Sequence, residues 1–163
     1  MSTTPPQVAD VFRRLALVLA LSPLLICGAV AFTIPTEGAE PVPPWLTGAI
    51  VAAVVLGFAL AETLGSRVSP LTADESSDAA ALSIARYRTS MMLRFVLTEW
   101  PIIATIAVCF VLDHGPWPLV LAVAVGVPVL AYEIWPSGRN VRRVADRLEA
   151  GGVRSGLRET FGV

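Results

Sequence analysis

The chain has 163 residues, 55% of them apolar and only 15% charged, and its mean hydropathy is +0.69. Those values exclude an ordinary soluble domain and place it among membrane proteins. The formal net charge of −1 carries little meaning, because it averages groups expected on two sides of a bilayer.

The first apolar run, Leu15 to Ile34, follows Arg13 and Arg14 and is long enough to span, since roughly 17–25 helical residues cross the hydrocarbon core. A basic start, an apolar stretch and Ala29-Val30-Ala31 also resemble a secretory signal. The apolar run is long for a signal, so an uncleaved span is the expectation. The proline-rich PTEGAEPVPP around Glu37 should be an extended link. A second run, Trp45 to Ala61, is at the short end for a span. It carries Ala49, Ala53, Gly57 and Ala61, a small residue every fourth position, and such a stripe lets another helix approach closely.

Between Gly65 and Ser90 the chain turns polar. At TADE, Thr72 and Glu75 have capping-box spacing, which predicts that helix restarts there and rises through Arg86, Tyr87 and Arg88 into the third run, Phe95 to Leu112. Tyr87 and its flanking arginines are expected near headgroups. The turn DHGPWP, with Asp113 and His114, leads to a fourth run, Pro116 to Tyr132. One His beside one Asp makes neither a metal site nor a triad without further partners. After Trp135-Pro136, Val141, Val144, Ala145 and Leu148 recur at helical spacing with charges opposite, and Val153, Leu157 and Phe161 repeat the theme. This predicts an amphipathic tail lying on a leaflet, with Arg142, Arg143 and Arg147 on anionic headgroups, or a docking site for a partner protein. Asp146, Glu149 and Glu159 dilute the positive face and argue against nucleic acid.

The fold expected is all-α: a domain of residues 1–136 with four membrane spans near 15–34, 45–61, 95–112 and 116–132, and a cytoplasmic amphipathic tail over 137–163. Barrel strands would alternate in polarity, and these runs do not. All twelve basic residues are arginine, and threading four spans puts every one of them on one side. Arginine marks the cytoplasmic side, so both termini are expected inside the plasma membrane, with Trp45 and Trp117 at the outer interface and Tyr132 and Trp135 at the inner one. Cys27 and Cys109 read as packing thiols inside spans, although both fall in the outer half, where a disulfide is conceivable.

Threading also places three carboxylates, Glu62, Glu99 and Glu133, at the arginine-bearing ends of three spans. A bare charge in the membrane costs at least a few kcal/mol, so such a group faces the interior, pairs, or keeps its proton. Glu99 lies about one and a half turns past Arg94. It could form an ion pair or a hydrogen bond to Thr98 or Tyr132, handle a proton or cation, or snorkel to the interface. Pro101 lacks an N–H and leaves the Leu97 carbonyl without its helical partner. The run TSMMLRFVLTEWPIIATIAVCFV locally resembles the carboxylate-bearing helix of the rotary ATP synthase proteolipid subunit, and that resemblance implies a proton-binding role for Glu99. It covers one helix; the preceding span lacks a dense glycine repeat, the polar loop is longer, and two more spans are present.

The expectation for function is a small multi-pass membrane protein acting by interaction, as an accessory or assembly subunit or as a self-associating bundle. Its rival is a proton- or cation-handling component that uses Glu99 with Glu62 and Glu133, close to Arg94. A third reading, an enzyme built on Asp113 and His114, is weaker. Neither a metal nor a cofactor is expected; membrane lipids and a protein partner or second copy are.

Overall fold

In the computed structural model, which describes residues 5–37, 40–112 and 114–163, no strand occurs among the described residues and helices follow one another along the chain. They are α1 (Pro5–Ala31), α2 (Pro44–Leu64), α3 (Ala79–Val111), α4 (Trp117–Ile134), α5 (Gly138–Leu148) and the short α6 (Leu157–Phe161). Four helices are long and apolar enough to cross a membrane. The large side chains they leave exposed, such as Leu25, Val55, Val96 and Val120, suit a lipid surround.

Length then sets the architecture. At about 1.5 Å per residue α3 is about 50 Å long, well beyond a hydrocarbon core of about 30 Å. A helix of that length cannot lie wholly within such a slab in one upright crossing, and most of the polar residues of α3 fall in its first turns. They are preceded by the 3₁₀ turn Ala73–Asp78, where the capping box forms as the sequence implied: the Thr72 N–H donates to Glu75 Oε2 at 3.0 Å. The helices α1 and α3 begin earlier than the apolar runs suggested, because hydropathy marks contact with lipid, whereas these polar-flanked turns are held by packing on protein.

That packing makes a cap on the arginine-bearing end. Phe12 of α1, Tyr87 of α3 and Phe161 of α6 form a three-ring cluster with centroids 5.0–5.6 Å apart. Tyr87 is 2% exposed, so it is a core residue and not the headgroup anchor its arginine neighbours implied. Val141, Val144, Ala145 and Leu148 of α5 are fully buried in the same cluster with Leu71, Met91 and Ile134. Burying each of the Val and Leu side chains contributes about 1.5–3 kcal/mol. The apolar face of the tail thus rests on the bundle and not on a leaflet. Water beyond the slab makes that burial favourable, while helices already in lipid gain little from hiding oil. Phe12 and Phe161 in contact also bring the two ends of the chain to one end of the bundle.

At the opposite end Trp45 and Trp117 are exposed, and Cys27 and Cys109 are free thiols packed with Ile34, Ile102 and Leu119. The small-residue stripe divides. Gly57 and Ala61 are buried, whereas Ala53 is half-buried and Ala49 exposed. At Gly57 the backbones of α2 and α3 come so close that a Cβ would lie 2.5 Å from the Leu97 carbonyl oxygen. This is the carbonyl that Pro101 deprives of its N–H, so the glycine accommodates the proline's defect.

Candidate functional site

Where α2, α3, α4 and α5 meet, at the arginine-bearing end, the sequence has gathered charge. Pro136 disfavours helical geometry for the residue before it, so α4 ends at Ile134 and Trp135, with a ψ of 132°, is extended. Ser137 then caps α5, accepting from the Asn140 N–H at 3.4 Å. This tight link turns α5 back so that Arg139, Asn140 and Arg143 face the ends of α2 and α4. Asn140 Nδ2 donates to the carbonyls of Tyr132, Glu133 and Trp135 at 3.3, 2.9 and 2.9 Å, serving oxygens that any helix end leaves without partners.

Glu62, in the last turn of α2, receives both arginines of α5. Arg139 Nη2 bonds its Oε1, and Arg143 Nη2 lies 2.8 Å from its Oε2. Arg139 also stacks over the Tyr132 ring at 4.9 Å and places Nη1 3.8 Å from Oε1 of the fully buried Glu133. Burial works against the Arg139 charge, but the facing Glu62 carboxylate more than offsets it, with Tyr132 and Glu133 adding to it, and the guanidinium pKa rises above its ordinary value.

Arg94 of α3, 2% exposed, completes the cluster without a salt bridge of its own among the described residues. Its Nη2 donates to Ser90 Oγ at 3.1 Å and its Nη1 to the Glu133 carbonyl at 3.4 Å; Ser90 in turn donates to the Gly65 carbonyl at 2.5 Å. A Cβ at Gly65 would collide with Arg94 Cγ, so the glycine makes room for the arginine stem. Among the described residues, Arg94 Nε and both Glu133 carboxylate oxygens have no hydrogen-bond partner. Three guanidiniums and two carboxylates therefore share one low-dielectric junction. Removing a partner from a fully buried charge such as Glu133 costs about 3–5 kcal/mol, because that charge is left uncompensated, whereas solvent screening lowers the cost at the partly exposed Arg139, Arg143 and Glu62.

Of the carboxylates expected together, Glu62 and Glu133 meet and Glu99 stands apart. It is half-buried on α3, in line with the exposed Val96 and Ile103, and among the described residues no hydrogen bond or ion pair reaches it. Thr98, a suggested partner, donates instead to the Arg94 carbonyl at 2.8 Å. Of the suggested headgroup arginines, Arg143 turns onto Glu62, while Arg142 and Arg147 are exposed. His114 is half-buried and Asp113 lies outside the described residues. Sequence reasoning missed Arg139, Asn140 and Ser90. The signal for the first was its spacing of four from Arg143, which sets both on one face of α5.

Among the described residues no group of three or more His, Cys, Asp or Glu could hold a metal ion. Comparison with family models, curated proteins and solved structures finds nothing that matches this chain.

Proposed function

We propose that the protein is a small multi-pass subunit of the plasma membrane that acts by interaction, both termini cytoplasmic, recruiting a protein partner or a second copy through its lipid-facing α3 surface. The observation that carries this reading is Glu99: a half-buried carboxylate within a candidate span, without a partner among the described residues. Left in lipid it costs at least a few kcal/mol, and a donor on a neighbouring transmembrane helix would relieve that cost. Glu62, Arg94 and Glu133 are gathered with Arg139 and Arg143 in one junction inside the bundle, whereas Glu99 lies outside it on the α3 surface. Anionic lipid at Arg142 and Arg147 would hold the cap against the inner leaflet.

The rival reading, a proton- or cation-handling component, rests on the same residue, and two substitutions separate them. Under the interaction reading, Glu99→Leu removes the complex seen on native gels after mild-detergent extraction, Glu99→Gln weakens it, and proton flux into liposomes is the same for all forms. A wild-type protein that runs as a monomer without companions contradicts the reading. Intact assembly with flux abolished in Glu99→Gln favours the rival.

A further inference from the structure

A groove of about 430 Å³ runs between the start of α1 and the start of α3, lined chiefly by Val8, Val11, Phe12, Leu15 and Ile84, with Arg88 at its edge. A second hollow, about 600 Å³, runs along the outer side of α3 and shares Ile84 and Arg88, so Arg88 stands where the two meet. The charge of Arg88 is free. Arg86, two residues earlier, is held by Glu75 at 2.5 Å and Arg13 by Asp10 at 3.2 Å, whereas Arg88 is exposed and makes no hydrogen bond or ion pair among the described residues. The apolar wall does not end at the cap. Val11, Leu15 and Val18 share one face of α1, and Arg88, Met92 and Val96 one face of α3; Val18 and Val96 are 65% and 58% exposed on the lipid-facing surface.

We infer that this groove is a phospholipid site, taking one acyl chain of an anionic lipid between α1 and α3 with the lipid phosphate on the Arg88 guanidinium. An apolar trough open to water at the cap would expose oil, and a chain continuous with the bilayer covers it. The planar guanidinium fits a phosphate with two parallel hydrogen bonds, which a zwitterionic headgroup screens with its own cation. The site depends on the bundle lying in a bilayer, but not on Glu99 or on any protein partner.

Native mass spectrometry of the full chain, delipidated in mild detergent and incubated with phosphatidylglycerol or phosphatidylcholine, tests it. The wild type retains phosphatidylglycerol under activation that strips phosphatidylcholine. Arg88→Gln lowers that retention about tenfold, the loss of one charge-assisted contact. Val11→Trp, which fills the trough without touching the charge, lowers retention of both lipids, and Arg154→Gln, at an exposed arginine away from the trough, leaves both as in the wild type. Inorganic phosphate in excess does not displace the lipid. Equal retention by Arg88→Gln, an equal loss in Arg154→Gln, displacement by phosphate, or a dimer that Val11→Trp abolishes would each overturn the assignment.

Discussion

Pro101 and Gly57 answer one problem from two helices. The proline leaves the Leu97 carbonyl without a helical donor, and the glycine lets the α2 backbone lie directly over it, with the Trp100 indole nitrogen 3.4 Å from where a Cβ would sit. Because the nearest atom is backbone oxygen, no side chain can swing away to admit a methyl group. Gly57→Ala is therefore expected to destabilise the bundle by about 1–3 kcal/mol, the usual cost of overpacking, and to lower the thermal midpoint in detergent. Gly48→Ala, where a Cβ meets nothing within 4 Å, should leave the midpoint unchanged, and equal midpoints for both variants would count against the close approach. Both halves of this pair were visible in the sequence, as a kink residue and as a member of a small-residue stripe. Their meeting was not, since periodicity names a face without naming what lies across from it.

At the scale of elements, α5 shows how charge fastens a short amphipathic helix to the long apolar ones. Its apolar face is buried in the cap, while Arg139 and Arg143, one turn apart, grip Glu62 at the end of α2. With Arg139→Gln and Arg143→Gln together, the apolar contacts of α5 remain but its tie to α2 is gone. Trypsin should then cut at the exposed Arg147 several-fold sooner, with helicity by circular dichroism unchanged, because local opening exposes the backbone before global unfolding does. Unaltered cleavage kinetics would show that the apolar face alone holds α5. The amphipathic pattern of this helix was legible in sequence; what it lies against was not. A lipid surface and a protein surface demand the same spacing of Val141, Val144 and Leu148, and only the turn imposed by Pro136 and Ser137 decides between them. The same ambiguity misplaced Tyr87: an aromatic between two arginines reads as an interface anchor, and the rings of Phe12 and Phe161 that bury it come from the far ends of the chain.

Taken whole, the molecule is an apolar bundle closed at one end by a charged, water-compatible cap. Hydropathy marked the four helices long and apolar enough to span a membrane, and the one-sided arginines matched the end at which the cap is built, because apolar runs and charge placement are each written locally in the chain. The junction of Glu62, Arg94, Glu133, Arg139 and Arg143 joins residues up to 81 positions apart, Glu62 to Arg143, and no local pattern encodes it. Everything proposed for Glu99, for the cap arginines and for the lipid groove requires this polarity relative to the bilayer. Labelling of single cysteines in intact cells with a membrane-impermeant maleimide tests it most directly, in a background with Cys27→Ser and Cys109→Ser. Thr36→Cys, in the link between α1 and α2, should label at once, and Ala150→Cys, in the turn that follows α5, only after permeabilisation. Labelling of Ala150→Cys in sealed cells, or protection of Thr36→Cys, would contradict the account.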